Sequence, residues 1–488
     1  MPVVDIAVAG TKSFRLQWTG GEGAEELDVK RVDAGEPADV ASGLPATATQ
    51  FEFEAFLPAV AGAEFVVEAC NGAGCTASDP AVVMAQMVLD AIGYVKDAVG
   101  DAADFMGWVV DVSANGDIVA VGVPQEDSSG AGVDPTRPSA DETPGSGAVL
   151  LFERQPTGSY ELSAVVKASE PGQGEAFGYS LALSGDGNHL VVGAPYEAGS
   201  GSGVGPSVDD DLPLAGAAYV FQRDEAGAWT GPVYLKSREQ FGGEFFGTAV
   251  DIASDGSVLV VGAAPADNAI APDSLAGAVY VFHRDDSGWS GPLTVRAPDG
   301  DDGDKFGASV ALSGDGSYLV VGAPGEDGSG QGVDPVADEL SDAAGAAYVF
   351  DLGAEGEVAL IAYLKARGPG AEDLFGFSVA ISADAKVIAF GAPSEDGEGE
   401  GAEPPVGDGA AGAGAAYLFW RDPEGGWEGL GYLKAPNTDP GDFFGHSVAL
   451  SADGRTLVVG APAEDGPAGD EQDPSEDSLP SSGAVYVY

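Results

Sequence analysis

Carboxylates recur at two fixed places in a pattern that this 488-residue chain repeats. One acid lies three positions before a recurring glycine; these acids are Asp104, Glu175, Glu244, Asp304, Asp373 and Asp442. A Glu-Asp pair follows a Pro later in four of the units, as Glu126-Asp127, Glu326-Asp327, Glu395-Asp396 and Glu464-Asp465. Calcium takes six to eight oxygen ligands, mainly from carboxylates and carbonyls. The pattern therefore predicts a cation site in each paired unit.

The predicted calcium ligands combine these two places with one further loop acid. They are Glu126, Asp127, Asp304, Glu326, Asp327, Asp334, Asp373, Glu395, Asp396, Asp442, Glu464 and Asp465. An alternative role for the same carboxylates is loop capping. In that role each carboxylate accepts backbone N–H bonds or meets a nearby lysine, and no metal is needed. The sequence leaves both roles open.

Residues for catalysis are sparse. The three histidines, His189, His283 and His446, fall in different local contexts, and no two share a motif. Neither a histidine metal cluster nor a nucleophile triad is visible. The Gly-rich stretches lack the lysine and the strand-to-helix context of a phosphate cradle. We therefore expect a protein that is not an enzyme, with an enzyme accessory or hydrolase as an alternative.

The acids are spaced by a repeated all-β unit. Between 304 and 350 the chain alternates apolar runs (ASVALS, YLVVGAP, GAAYVF) with a tight Asp-Gly turn and a long acidic loop. β-Branched and aromatic runs bounded by Gly, Asp and Pro are typical of antiparallel strands, and a fourth run, IAYLKA, follows. The unit occurs six times, with its motif glycine at Gly107, Gly178, Gly247, Gly307, Gly376 and Gly445. Four-stranded units at a long period predict a β-propeller.

The loops sort onto two faces. In an antiparallel meander, the loop entering the first strand and the loop joining the second to the third strand emerge on the same side. The repeated acids all lie in those two loops. The sequence therefore predicts that they share one acidic face.

The FG, GAP and GAVYVF motifs from about Gly93 to Tyr488 resemble the FG-GAP repeat of the integrin alpha chain head and its bacterial relatives. The resemblance implies a propeller, and by analogy a role in adhesion. The integrin relatives bind calcium in the turn between the first and second strands. Here that turn has shrunk to SGDG or SADG with a single acid, at Asp186, Asp255, Asp315 or Asp453. We therefore expect those residues to form turns and do not carry the integrin sites over.

Ring closure is predicted from the unit boundaries. A basic residue ends each fourth strand, at Lys96, Lys167, Lys236, Arg296, Lys365 and Lys434. The final unit ends at its third strand, GAVYVY, and a lone fourth strand, IGYVK, lies at residues 92–96. We expect this strand to pair with the last unit, because pairing would remove exposed sheet edges. The predicted domain is a six-bladed propeller over 92–488.

Residues 1–80 lack the repeat and resemble a fibronectin type III module, a small β-sandwich. Trp18 occupies the position of the family's core tryptophan, and FVVEACNGAGC resembles its last hairpin. Phe65 departs from the family, because it stands at the tyrosine-corner position without a hydroxyl. Residues 81–91 are interpreted as a linker. Cys70 and Cys75 flank a turn, and either a disulfide, suited to an oxidising compartment, or a reduced pair fits the sequence.

Composition sets the range of partners. The formal charge is −59, from 79 acidic and 20 basic residues, which disfavours nucleic acid and anionic membranes and favours cations and basic partners. No apolar run is long enough to span a bilayer, and no signal peptide is visible after Met1. We expect a secreted or cell-surface binding protein for a protein or glycan, assisted by calcium. A self-assembling subunit of a filament or surface layer is the structural alternative.

Overall fold

The computed structural model describes residues 2–10, 13–20, 22–32, 37–54, 60, 62–84, 87, 95, 103–134, 143–156, 158–238, 240–265, 276–336, 338–353, 357–405, 407, 409–465 and 481–488. All elements with assigned bounds in these residues are β-strands, numbered β1 to β34. No helix among them has the length and apolar character needed to cross a membrane. The chain divides into two compact units, Met1–Asp97 with Phe152–Leu162, and Ala98–Leu151 with Ser163–Tyr488.

The N-terminal strands form two sheets. They are β1 (Val3–Gly10), β2 (Ser13–Thr19), β3 (Glu26–Arg31), β4 (Ala38–Pro45), β5 (Gln50–Glu54), β6 (Glu64–Asn71), β7 (Gly74–Ala77) and β8 (Ala81–Val82). One sheet has the order β1-β2-β5 and the other β4-β3-β6-β7, with β8 beside β6. Phe14, Trp18 and Phe65 belong to one buried apolar cluster. A disulfide joins Cys70 and Cys75, which face each other across β6 and β7.

The repeat region continues the strand series. Its strands are β9 (Val110–Val112), β10 (Ile118–Val123), β11 (Val133–Asp134), β12 (Ala148–Arg154), β13 (Tyr160–Val166), β14 (Ser180–Leu183), β15 (His189–Ala194), β16 (Gly203–Val204), β17 (Ala217–Arg223), β18 (Trp229–Lys236), β19 (Phe246–Ile252), β20 (Val258–Ala263), β21 (Ala278–Asp285), β22 (Gly288–Val295), β23 (Ser309–Leu312), β24 (Tyr318–Ala323), β25 (Gly332–Val333), β26 (Ala346–Leu352), β27 (Val358–Lys365), β28 (Ser378–Ile381), β29 (Val387–Ala392), β30 (Ala415–Arg421), β31 (Trp427–Leu433), β32 (Ser447–Leu450), β33 (Leu457–Ala461) and β34 (Ala484–Val487).

Each repeated unit forms its own sheet in the predicted meander order. Sheets 1 to 6 are β11-β13-β12-β10-β9, β14-β15-β17-β18-β16, β19-β20-β21-β22, β23-β24-β26-β27-β25, β28-β29-β30-β31 and β32-β33-β34. In sheets 1, 2 and 4 the loop between the second and third strands adds a two-residue strand outside the fourth strand. The sequence analysis predicts four strands for each unit and does not include this fifth strand.

Neighbouring sheets meet through backbone just before and at the motif glycines. Parallel bridges join Gly147 to Phe177, Gly216 to Phe246, Gly277 to Phe306, Gly345 to Phe375 and Gly414 to Phe444. Nearby, a Cβ added to Gly391 would lie only 1.8 Å from the carbonyl oxygen of Gly445 in the next sheet. No side chain fits such an approach, so a glycine is required there.

Among the described residues, the first and last sheets each have one face that makes no such backbone contact with another sheet. A Cβ on Gly107 would meet nothing within 4 Å, and one on Gly460 would meet only atoms of its own sheet. Val110 of sheet 1 is 62% exposed and Val485 of sheet 6 is 68% exposed, whereas Ala416, the sheet 5 counterpart of Val485, is fully buried (0%). Within the described ranges, each of these two sheets therefore has an apolar face that no neighbouring sheet covers.

The strand predicted to close the ring lies outside the described residues, apart from Val95, which is in no strand. Sheet 6 accordingly has three strands within the part of the chain that the structure describes. The predicted linker begins with β8 and with Val83, which is fully buried (0%) in the N-terminal cluster. That part of 81–91 thus packs with the first unit.

Candidate functional site

The two kinds of acidic loop lie on one face, as the strand directions predict. Backbone N–H groups just after the second strands donate to carbonyls just before the first strands of the same units. Gly325 N lies 3.0 Å from Asp304 O, and Ala463 N lies 3.3 Å from Asp442 O. We call the surface formed by the loops that precede the first strands and the loops that join second to third strands the loop face.

Four of the loop-face glutamates are buried against lysines that end the fourth strands. The pairs are Lys167–Glu126, Lys236–Glu197, Lys365–Glu326 and Lys434–Glu395. The Nζ–Oε2 distance is 2.7 Å for Lys236–Glu197 and 2.6 Å for Lys434–Glu395. Removing one partner would leave a buried charge uncompensated. These lysines thus occupy the position that a cation would need.

Tyrosines complete the surroundings of the same glutamates. Tyr234 donates its hydroxyl to Glu197 Oε1 at 2.6 Å, and Tyr432 donates to Glu395 Oε1 at 2.7 Å. Glu464 of the last unit instead receives hydrogen bonds from Asn437 and Tyr486. Burial raises the pKa of Glu464 to about 7.

The aspartates of the Glu-Asp pairs accept hydrogen bonds from the backbone. Oδ1 of Asp327 receives the N–H of Ala343 at 2.6 Å, and Oδ1 of Asp396 receives that of Gly412 at 2.8 Å. The corresponding contacts of Asp127 and Asp465 are with Gly145 and Ser481. Asp334 accepts the N–H of Tyr363 at 2.8 Å. All five thus hold the ends of loops together, which is the capping role.

The acids before the motif glycines are buried and are held by short turns. Asp304, Asp373 and Asp442 each accept the N–H three residues upstream, at 2.8, 2.6 and 2.8 Å. Burial raises the pKa of Asp304 to about 7, with the Glu326 carboxylate adding to the effect. It raises the pKa values of Glu175 and Glu244 to about 7 as well. Burial and a neighbouring carboxylate both favour the neutral form of a carboxyl group.

No three of the predicted calcium ligands come together. Across the described residues, which include all of these ligands, the one group with three potential ligand atoms within 4.8 Å of one another is Glu68, Cys70 and Cys75. Its two sulfur atoms are bonded to each other. The calcium sites therefore remain a prediction from the sequence, and the observed contacts correspond to the capping alternative.

The aspartates on the opposite face form turns, as expected. Oδ1 of Asp315 accepts bonds from Ser313 Oγ at 2.7 Å and from the N–H of Ser317 at 3.0 Å. Asp186 makes the same two contacts with Ser184 and Asn188. Each of these carboxylates accepts the hydrogen bonds of the turn in which it lies.

Sequence reasoning missed a chain of aromatic rings on the loop face. We call Phe105, Trp108, Tyr179, Tyr196 and Phe245 the aromatic strip. Successive ring centroids lie 6.3, 5.5, 5.9 and 5.7 Å apart, and the strip runs across sheets 1 to 3. Phe105 is 58% exposed and Trp108 is 53% exposed. Trp108 contacts the neighbouring unit through Tyr179.

Backbone strain helps to present two of these rings, Phe105 and Phe245. The residue just before the motif Phe or Met has a positive φ in all six units: Phe105 57°, Ala176 55°, Phe245 55°, Lys305 59°, Leu374 61° and Phe443 57°. Left-handed geometry costs a residue with a Cβ roughly 1 kcal/mol or more. The turn holds this residue on the loop face while the next residue, such as Phe246, is fully buried (0%).

Comparison with known families finds the FG-GAP repeat at residues 161–221, 237–282, 289–350 and 427–488. FG-GAP repeats are found across the chain. This confirms the resemblance inferred from the sequence and the β-propeller class of the repeats. The FG-GAP repeat does not itself point to catalysis. The fibronectin resemblance of the first 80 residues stays a prediction.

Solved structures similar to this chain include enzymes. The periplasmic gluconolactonase PpgL of Pseudomonas aeruginosa is 13% identical, with 95% of this chain and 98% of that chain covered and a TM-score of 0.41. Hydrazine synthase of Kuenenia stuttgartiensis is 13% identical, with coverages of 76% and 78% and a TM-score of 0.40. No curated protein matches the chain.

Proposed function

We propose that this FG-GAP protein is a non-catalytic, secreted or cell-surface binding protein that contacts its ligand with the aromatic strip. The main support for this proposal is the exposure of Phe105 and Trp108 within a continuous row of rings. Contiguous exposed apolar surface marks interaction sites, and aromatic side chains dominate their energetics. Aromatic rings also stack on the apolar faces of sugars. The ligand is a protein or a glycan.

The disulfide and the charge support an extracellular site of action. The Cys70–Cys75 bond fits an oxidising compartment. A formal charge of −59 keeps the surface soluble and disfavours nucleic acid as a partner. These features are consistent with binding outside the cell.

For the architecture, we propose a six-bladed propeller preceded by a fibronectin type III-like sandwich. Sheets 1 and 6 each present an apolar face of the kind that is buried between the other sheets, with Val110 on one and Val485 on the other. A sixth junction between them would bury both faces. The two N-terminal sheets share one apolar cluster, as a sandwich requires.

The same two faces favour one second candidate, self-assembly. If sheet 6 of one copy accepted sheet 1 of the next, the contact would be head-to-tail and would generate filaments or larger rings. Ring closure within one chain is favoured over assembly between chains, because two faces of the same chain have a high effective concentration for each other.

Binding by the aromatic strip is tested by a glycan array and a displayed-peptide library, each probed with the wild type and with a Trp108→Ala/Tyr196→Ala variant. The wild type is expected to select a ligand that the variant loses. Val336→Ala, at a site 87% exposed, is the matched control and should bind normally. Equal binding by the strip variant would contradict the proposal.

Closure is tested by thiol labelling of Val485→Cys, because the two native cysteines are already paired. In a closed ring this thiol should be protected like Ala416→Cys, and light scattering should show a monomer. Labelling as fast as that of Val336→Cys would mean an open face. Protection together with a concentration-dependent mass would favour assembly.

A further inference from the structure

A cavity of about 420 Å³ lies beside the outer strands of sheet 5, where β30 and β31 meet residues of sheet 4. Its apolar walls include Leu418, Phe419 and Leu430. Arg367 and Glu403 also line it. The volume is in the range of small-molecule sites, which combine apolar walls with a few polar groups.

The cavity exists where sheet 5 lacks a side chain that other sheets have. Gly431 pairs with Leu418 across β31 and β30. At the same position the sheets before it carry Val233, Leu293 and Ala362, paired with Val220, Val281 and Val349. Val233 and Leu293 pack against the cores of their own sheets. Among these four sheets, sheet 5 is thus the one that carries no side chain at this position.

Gly431 has room for a side chain. A Cβ built on it would have Glu403 Oε1 at 3.8 Å and Leu418 Cβ at 3.9 Å as its nearest neighbours, both from residues that line the cavity. Its φ is not in the left-handed region. The glycine is thus not required by the backbone, and its effect is to leave the cavity unfilled.

The polar groups of the cavity offer one accessible positive charge. Arg367 Nη1 lies 2.5 Å from Glu403 Oε2, and the side chains are 59% and 52% exposed. Glu403 is held by the N–H of Tyr432, at 2.8 Å from its Oε1. Lys365, also in the lining, is fully buried against Glu326. A guanidinium has five N–H donors, so Arg367 can meet a second anion while it holds Glu403.

We propose that this cavity binds a small amphipathic anion, with an aromatic or short aliphatic body against Leu418, Phe419 and Leu430 and its carboxylate or sulfonate on Arg367. The apolar walls supply most of the affinity, because burial of apolar surface is the dominant favourable term. Arg367 selects the charged end. The site is separate from the aromatic strip.

The test uses two probes with the same rings, anionic 1-anilinonaphthalene-8-sulfonate and uncharged N-phenyl-1-naphthylamine. Fluorescence titration of the full chain should show saturable binding of both. Gly431→Leu places in sheet 5 the side chain that sheet 3 has at Leu293, and it should abolish binding of both probes. Arg367→Gln should weaken the sulfonate about tenfold, as loss of a charge-assisted bond implies, and leave the neutral probe unchanged.

Controls separate the cavity from other surfaces. Gly72→Ala, in the first compact unit, adds a Cβ that meets nothing within 4 Å, so binding should be unaffected. Trp108→Ala should also leave it intact, which rules out the aromatic strip. Gly431→Val, as at Val233, gives a second filled variant if the leucine disturbs folding, which a thermal melt would reveal. Sulfonate binding that survives both fillings, or that is indifferent to Arg367→Gln, would overturn the proposal.

Discussion

The Nζ atom of Lys236 lies 2.7 Å from Oε2 of Glu197, with both side chains almost fully buried. The contact ties the loop after the second strand of sheet 2 to the end of its fourth strand. Burial lowers the pKa of Lys236, and the Glu197 carboxylate opposes that shift. Each member of the pair thus keeps the other in its charged form. Three other sheets have the same lysine–glutamate pair.

Replacing one partner of this pair should be strongly destabilising. We expect Lys236→Met to lower the free energy of unfolding by about 3 kcal/mol, because Glu197 would remain buried without a counter-charge. Urea denaturation measures the change. Lys236→Met combined with Glu197→Gln should recover part of the loss. Lys386→Met, which removes an ion pair whose lysine is 69% exposed, should change stability little. Equal losses at both lysines would contradict this account.

Stability should rise as the solution is acidified from pH 8 toward pH 5. The pKa values of Glu175, Glu244 and Asp304 are raised to about 7 in the folded chain. Between the unfolded pKa, near 4, and 7 the folded state therefore binds more protons than the unfolded state, so stability falls with increasing pH. Below pH 4 the aspartates with lowered pKa values, such as Asp186 and Asp315, reverse the trend.

Glu244→Gln isolates one of these groups. It accepts hydrogen bonds from Ser237 and Tyr280 at 2.6 Å each, and the amide keeps the shape without the charge. We expect a higher Tm than wild type at pH 8 and a smaller difference at pH 5, measured by calorimetry. A variant that is less stable at pH 8 would show that Glu244 is charged and well solvated in the folded state.

The turn of the fifth unit carries a removable strain. Ala385 has a φ of 53° where the five other units have a glycine, at Gly116, Gly187, Gly256, Gly316 and Gly454. Ala385→Gly should raise stability by about 0.5–1 kcal/mol, the relief of left-handed strain less the added freedom of the unfolded chain. Gly316→Ala, whose Cβ would meet Ala253 and Val258 at 3.1 Å, should be destabilising. Thermal melts should show a higher Tm for Ala385→Gly and a lower Tm for Gly316→Ala, and a lower Tm for Ala385→Gly would contradict the prediction.

Calcium distinguishes the two roles of the loop acids. If the glutamates serve lysines and tyrosines, millimolar calcium should leave the Tm equal to that in chelator. Ligation by the predicted acids would instead raise it, because an ion bound only to the folded state stabilises that state. Differential scanning fluorimetry with magnesium as the control ion provides the measurement.

The repeated fold was predictable because each strand carries its own signal. Runs such as YLVVGAP are continuous apolar segments bounded by turn residues, and β24 forms there as expected. The two-residue strands were not predictable. Gly203 and Val204 have no apolar run, and they become a strand only because the fourth strand beside them offers free backbone groups.

The site was less predictable, because its decisive contacts are long-range. Sequence spacing located the acids on one face but could not measure their depth, so pairing with lysine and metal binding both stayed open. The aromatic strip had a weaker signal. Four of its members flank the motif Phe-Gly or Met-Gly, where another unit carries Lys305 and Ala308, and Tyr196 follows a GAP motif, so no shared residue type marks the positions.

The backbone contact between the motif glycines has a consequence for the chain's history. Since adjacent sheets approach each other through glycine backbone, substitutions elsewhere in the strands need not change the spacing of the sheets. A unit could lengthen its loops, or carry a glycine in place of a larger residue as at Gly431, without displacing its neighbours. New surfaces can thus arise one repeat at a time on a framework whose pitch stays constant.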